Sequence, residues 1–443
     1  MPVELGRRKG YRGKNEQKLF LPSILAPYTL TPPNPGVKSQ MSKPPVLEAS
    51  ATATTKFLPN LFELVDSLAA DFATRAATHD RDSSFPFKNF DTLHKAKLLS
   101  LTIPVEFGGL AVGYTTACKV IEKIASGDAS TALVLTMHYL QHANAARHRR
   151  WHPAVYEKLC RESVEGIALL NAARVEPELG TPARGGLPAT IAKRTLDGWS
   201  ITGHKQYTTG SPILRYFVVW ARTNDDEPQV GSFLVPRDIP GVKIAETWDH
   251  LGMRATGSHD LILADVCIPP EYALDVRPAK AWSQPDPLML AAGSLLLSAL
   301  YQGVATAARD WLVEYLNERS PTNLGASLAT LPNFQTAVGE IEALLYANHR
   351  LIYSLAADID RGEHHTNVNL SAQTVKYLAT SNAIKAVEIG LQLIGNPGLS
   401  KKNPLERHYR DVLCSRIHTP QNDVICSALG RSALKIKKLA NVH

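Results

Sequence analysis

The spacing of apolar residues changes period twice along this chain, and the order of those changes restricts the fold more than any single motif. Leu58, Leu61, Leu64, Val65, Leu68 and Phe72 recur at helical spacing and mark one buried face. Helical patterns continue over about 89–98, 115–126 and 130–147, interrupted by Pro104 with the Gly108-Gly109 pair and again by Gly127-Asp128. Between about 166 and 274 the period drops to two. Runs starting at Trp199, Tyr216, Gly231 and His259 are β-rich and bounded by turn residues, which predicts a small antiparallel barrel or sandwich. From Leu288 the helical period returns in long stretches, about 288–318, 331–361, 369–394 and 422–438. The chain therefore reads as α+β and mainly α. An N-terminal helical domain covers 57–164, a central small β-barrel domain 165–280, and a C-terminal four-helix bundle 281–443.

Length agrees with this division, since 443 residues exceed one ordinary core. A hydrophobic content of 44% and a charged content of 20% are those of a globular protein. The longest uncharged apolar run, Leu288–Leu300, is thirteen residues and reads as a buried helix rather than a membrane span. The five cysteines are scattered without metal-ligand spacing, so reduced thiols in a cytoplasmic protein are expected, and no metal site. The net charge of +7 is uneven: Arg7, Arg8, Lys9, Arg12, Lys14 and Lys18 crowd the start. Residues 1–56 read as a disordered basic and proline-rich leader. A mitochondrial presequence is disfavoured by Pro22, Pro27, Pro32, Pro33 and Pro35, and Met41 is an alternative start. Nothing else suggests a nucleic-acid partner.

Short motifs follow in a fixed order: Ile103-Pro-Val-Glu-Phe-Gly-Gly-Leu110, Asp128–His138, Val175-Glu-Pro-Glu-Leu-Gly-Thr-Pro182, Gly203-His-Lys-Gln-Tyr-Thr-Thr209, and Leu251-Gly-Met-Arg-Ala-Thr-Gly-Ser258. The C-terminal run Gln392-Leu-Ile-Gly395 leads to Arg410-Asp411 and then Ile417-His-Thr-Pro-Gln-Asn-Asp423. Each alone is weak. Together, and in this order from Leu58 to Lys438, they resemble the acyl-CoA dehydrogenase family of flavoproteins.

The resemblance implies where a flavin (FAD, or FMN as reduced flavin) would be held. Thr181 and Thr209 stand at the positions that hydrogen-bond the ring edge, and Tyr207 would lie beside the ring in place of a tryptophan. Arg319, Gln392, Gly395 and Gln421 would lie along the cofactor's tail, Arg319 and Gln392 reaching a flavin held mainly by a neighbouring subunit. A homotetramer built as a dimer of dimers follows from the same likeness. So does an electron-transfer flavoprotein or a flavin reductase as partner. The family usually has two glycines where this chain has Gly395-Asn396, and an aromatic where it has Thr322.

Catalysis departs from the family pattern. A dehydrogenase of this kind needs a carboxylate base. The family places it at the position held here by Thr419, or in a minority at the position of Gly293. Neither residue can accept a proton at neutral pH. Branches without the glutamate include monooxygenases that use reduced flavin and oxygen on a small organic substrate; they need a hydrogen-bond donor near the flavin C4a–N5 edge. His418, next to Thr419, and His138, one turn from His142, are the candidates to handle oxygen and protons. The alternatives are an acyl-CoA dehydrogenase acting on an acyl thioester, and a non-catalytic flavin-binding or carrier-protein partner. Arg147, Arg149, Arg150, His148 and His152 read as a solvated helix end or an anionic-substrate rim.

Overall fold

The computed structural model describes residues 60–148, 150–179, 186–283, 286–363 and 367–436. The leader expected over 1–56 lies outside them, as does Thr181. Five helices come first: α1 (Leu61–Asp82), α2 (Phe87–Lys95), α3 (Tyr114–Gly127), α4 (Ala129–His148) and α5 (Pro153–Glu165). Helix α1 turns Leu61, Val65, Ala69, Phe72 and Ala76 inward, a stripe at steps of three and four. Leu64, read from sequence as part of that face, is 36% exposed at its edge.

Helix α3 is started by a residue far away in the chain. Gly113 at its N-cap has no side chain to offer, and Asp360 supplies the missing acceptors. Its two oxygens take the amides of Tyr114 at 2.6 Å and Thr115 at 2.9 Å. A Cβ on Gly113 would lie 2.6 Å from that carboxylate, so the glycine makes room for the borrowed cap.

Eight strands follow: β1 (Leu169–Ala173), β2 (Ile191–Thr195), β3 (Gly198–Thr208), β4 (Leu214–Thr223), β5 (Gln229–Pro236), β6 (Val242–Ala245), β7 (His259–Ile268) and β8 (Ala273–Pro278). They pair in the order β6-β7-β3-β2-β4-β5-β8, with β1 added alongside β4. Most pairs are antiparallel, but β1 and β2 both run parallel to β4. The long segments between those strands provide the crossovers that parallel pairing requires. Strand β4 is buried on both faces because it separates two cores. Tyr216 and Val218 pack with Trp151, Val155 and Leu159 around α5, whereas Phe217, Val219 and Ala221 face the main core.

The last block is helical: α6 (Pro287–Glu318), α7 (Pro332–Asp360), α8 (Val368–Ile394), α9 (Leu405–Leu413) and α10 (Asn422–Ala433). Asp286 caps α6 by accepting from the Leu288 amide at 2.7 Å, and Pro287 occupies the first turn. Helix α6 is long and apolar enough to cross a membrane by length and composition, yet 78% of its apolar window is buried inside the protein. It packs against α3, α4, α7 and α8, which accounts for apolar residues all round it. The order of helices, a strand block and long helices is the one read from the sequence; the sheet departs from the antiparallel expectation at the two parallel partners of β4, and the last helix is shorter than expected.

Candidate functional site

The loop from Leu251 to Ser258 ties the sheet to the helices on both sides of it. Gly252 lets the loop approach α9; a Cβ there would lie 2.3 Å from the Arg410 carbonyl oxygen. The next amide, that of Met253, donates to Asp411 Oδ1 at 2.7 Å. Arg254 donates from Nε to the Asp80 carbonyl at 2.8 Å and from Nη2 to Ser83 Oγ at 2.6 Å. Arg410 grips the Asp80 carboxylate with both terminal nitrogens, at 2.9 and 2.6 Å, and also reaches the Leu251 carbonyl at 2.8 Å. Burial pushes the Asp411 carboxyl up to about 7. The Arg410-Asp411 pair singled out in the sequence is therefore a junction of α1, the loop and α9.

A second tie joins the two motifs that precede it. Glu176 and Lys205 form an ion pair at 2.6 Å, with side chains 2% and 0% exposed. Glu176 also accepts from the amides of Ala189 at 2.7 Å and Thr190 at 2.9 Å, and from Thr190 Oγ1 at 2.6 Å. Burial would raise the Glu176 carboxyl, but its hydrogen bonds to Lys205 and Thr190 hold it below its ordinary value. Burial pulls Lys205 down to about 8, the Glu176 pair opposing. Sequence reasoning read both segments as flavin loops and missed their direct connection. A glutamate in one motif and a lysine in the next, in a β block, was the signal available.

These ties set the walls of a cavity of about 210 Å³ lined by one of the site residues selected from the sequence, Tyr207, with Thr209 behind it. Tyr207, half exposed and at φ +56°, stands at its mouth. Trp248 and His250 stack at 3.7 Å with an interplanar angle of 11°, and Tyr207 meets both edge-on at 6.3 and 5.7 Å. His250 Nδ1 is buried without a hydrogen-bond partner among the described residues. Behind this wall Thr209 Oγ1 lies 3.0 Å from Ser258 Oγ, which is 2.8 Å from Thr256 Oγ1. Thr256 spends its one hydroxyl hydrogen on the Met253 carbonyl at 2.9 Å, so Ser258 donates to Thr256 and Thr209 to Ser258. The lone pairs of Thr209 are left to accept, and its hydrogen reaches a ligand only by leaving Ser258. Asp260 is the carboxylate of this lining. One oxygen takes His204 Nε2 at 2.6 Å and the other takes Thr247 Oγ1 at 2.8 Å, so neither is a free base.

The segment after α9 carries the other candidates. His418 is half-buried, and its Nδ1 lies 2.7 Å from the Tyr301 hydroxyl of α6. Tyr301 is fully buried, and Nδ1 is its hydroxyl's partner among the described residues. Were Nδ1 protonated, the phenol hydrogen would be buried without an acceptor, at a cost of about 1–3 kcal/mol. Tyr301 therefore donates, and the imidazole proton sits on Nε2. Burial, reinforced by the charge of Lys376, lowers the imidazole to about 4 and keeps it neutral. Lys376 of α8 is itself fully buried and donates to the carbonyls of Pro420 at 2.7 Å, His418 at 2.8 Å and Ser415 at 3.4 Å. Thr419 is exposed and Gln421 half-buried at the start of α10. No side chain stands at Gly293, where a Cβ would meet nothing within 4 Å.

His138 is placed differently from the sequence expectation. It is 1% exposed, with Nε2 at 2.9 Å from the Leu99 carbonyl and Nδ1 accepting from the Leu170 amide at 3.4 Å. Burial lowers it to about 4. Both nitrogens are committed to holding α4 against β1 and the 98–100 turn, which leaves none for oxygen or substrate. The helix-end basic cluster is also corrected in part: Arg147 pairs with Asp286 at 2.5 Å and Arg150 with Asp275 at 3.3 Å, so those two join elements. Arg149, and the side chain of His148, lie outside what is described. Arg319 is exposed at the C-cap of α6. Gln392 is exposed on the last turn of α8, and Gly395 follows at φ +64°. These three are not brought to the cavity by contacts within one chain. No cluster of metal-ligating side chains occurs among the described residues.

Residues 61–158 match the N-terminal domain of acyl-CoA dehydrogenases, 172–266 the middle domain and 295–422 the C-terminal domain. The chain is 31% identical over 373 residues to the putative acyl-CoA dehydrogenase YdbM of Bacillus subtilis (strain 168), covering 84% of this chain and 96% of that one. It is 30% identical over 380 residues to the amino sugar nitrososynthase RubN8 of Streptomyces rubradiris, covering 83% and 88%. Among solved structures, KijD3 in complex with FMN and dTDP-3-amino-2,3,6-trideoxy-4-keto-3-methyl-D-glucose superposes with a TM-score of 0.76 at 27% identity, covering 88% of this chain and 96% of that one. With all three domains matched in order and relatives aligned along nearly their whole length, the chain belongs to the acyl-CoA dehydrogenase family.

Proposed function

We propose that this protein is a flavin-dependent oxidoreductase of monooxygenase type, using reduced flavin and oxygen on a small organic substrate. The observation that carries this reading is the absence of a free carboxylate where the family keeps its base. Thr419 and Gly293 occupy those positions, Asp411 is committed to the Met253 amide, and Asp260 to His204 and Thr247. The nitrososynthase relative and the KijD3 complex with FMN lean the same way.

The residues present fit a flavin. A flat ring with a polar rim suits a cavity walled by the Trp248–His250 stack and Tyr207, with His250 Nδ1 unpartnered among the described residues and the Ser258 hydroxyl in the lining, Thr209 behind it. We assign Thr181, Tyr207 and Thr209 to the ring, and Arg319, Gln392, Gly395 and Gln421 to the tail of FAD or FMN. The exposure of Arg319, Gln392 and Gly395 on a single chain suits a site completed by a neighbour in a homotetramer. When bound, the flavin supplies the electrons that activate oxygen. His418, neutral with its proton on Nε2, donates a hydrogen bond and does not act as a base; Thr419 beside it puts no carboxylate at the position where the family keeps its base. His138 holds the scaffold. A flavin reductase or an electron-transfer flavoprotein as partner, and a cytoplasmic location, belong to the same proposal.

The second reading, desaturation of an acyl thioester, is favoured by the likeness to YdbM. Anaerobic mixing of the flavin-loaded protein with a series of acyl-CoAs separates the two. The oxidised flavin band should persist; rapid bleaching by any acyl-CoA would establish desaturation instead. In air, His418→Ala should raise peroxide release from the photoreduced protein by at least about tenfold, the effect of losing one positioned donor. Unchanged release would remove His418 from the role.

A further inference from the structure

We propose that Tyr301 and Lys376 are positioning residues that lock His418 with its Nε2–H edge outward, so that this histidine can only donate to a ligand. This rests on the reading of His418 given above and deepens it. The two residues come from different helices and act on different parts of the histidine. Tyr301, on α6, takes Nδ1 through its hydroxyl at 2.7 Å. Lys376, on α8, takes the main chain, spending its three hydrogens on carbonyls at 415, 418 and 420. Neither anchor belongs to the loop it holds; their separations from His418 are 117 and 42 residues.

The choice of partners argues against a merely structural lysine. A buried ammonium usually finds a carboxylate. Lys376 has no ion pair among the described residues and instead gathers three carbonyls from a six-residue segment around His418. The ammonium fixes the backbone of His418 on one side, and the phenol fixes the ring's rotation and tautomer on the other. Nε2, which has no partner among the described residues, is the edge left to meet a ligand. A proton released by the substrate must therefore leave by another group.

The test uses the flavin-free protein, so that it is independent of turnover. Nitrogen-15 magnetic resonance of histidine-labelled protein, with the His418 signals assigned by their loss in His418→Gln, reports which ring nitrogen carries the proton. The wild type should show it on Nε2, and Tyr301→Phe should move the tautomer ratio toward Nδ1 by about tenfold. Hydrogen exchange over residues 415–420 should accelerate about tenfold in Lys376→Met and stay slow in Lys376→Arg. A wild-type proton on Nδ1 would overturn the proposal even if a variant failed to fold. So would a Tyr301→Phe ratio equal to the wild type, or loop exchange unchanged in Lys376→Met. Failure of His418→Ala to alter peroxide release, with these results intact, would remove the oxygen role and leave the positioning unit standing.

Discussion

Lys205 places an ammonium where its side chain has no exposed surface, and Glu176 meets it at 2.6 Å under the same burial. Such a pair costs desolvation on both partners, so its net contribution is small, yet breaking one side leaves a charge stranded. Lys205→Met should destabilise the protein by about 3 kcal/mol, and the Lys205→Met, Glu176→Gln double variant by less than the sum of the singles. A double-mutant cycle by denaturant unfolding measures this; simple additivity would mean the two do not act together. The residue scale is also where sequence reading was least complete. Glu176 and Lys205 sat in motifs already quoted, but their pairing depends on a fold in which 176 and 205 converge. The family resemblance suggested His138 as a pocket histidine, and only the contacts with Leu99 and Leu170 show that both nitrogens are taken.

At the scale of elements, α3 depends on a cap from another helix. Asp360→Ala leaves the amides of Tyr114 and Thr115 without acceptors and should cost about 1 kcal/mol. Its signature is local: hydrogen exchange should rise at 114–117 and remain unchanged at 120–127. Equal protection at both would assign the capping to other groups. Most helices were legible because apolar residues at steps of three and four survive in any context. Strands β2, β6 and β8 were not, because they are short and largely solvated, with little alternation to read. The parallel partners of β4 were illegible for a different reason: pairing direction depends on crossovers that no local pattern records.

Across the whole molecule, buried histidines decide the response to acid. Burial lowers His138 and His418 to about 4 and His408 to about 3, and pushes His142 below its ordinary range. As pH falls below about 6.5 the unfolded chain takes up protons that these folded sites refuse, so stability drops from there toward pH 4. Asp411, raised to about 7, works in the opposite direction by binding a proton in the folded state over the range from about 4 to 7. Burial raises the Glu122 carboxyl too, but it also lowers His250, His259 and His349, so seven lowered histidines against two raised carboxyls give a net loss on acidification. The melting temperature should therefore fall between pH 6.5 and 4, and fall more steeply in Asp411→Asn, which lacks one of the opposing groups. A melting temperature that rises over this interval would contradict the balance.

The sequence by itself determined the order of helical, strand and helical blocks, the family likeness and the missing carboxylate, since each depends on residue identity and local period alone. It also located the loops at 207–209, 251–258 and 417–423. The tertiary structure decided which of their residues share a contact. Tyr301 reaching Nδ1 of His418, Lys376 collecting three carbonyls and Asp411 taking the Met253 amide are long-range meetings of buried polar groups. Such groups must find partners wherever the packed chain places them, and that placement is a property of the packing rather than of any segment.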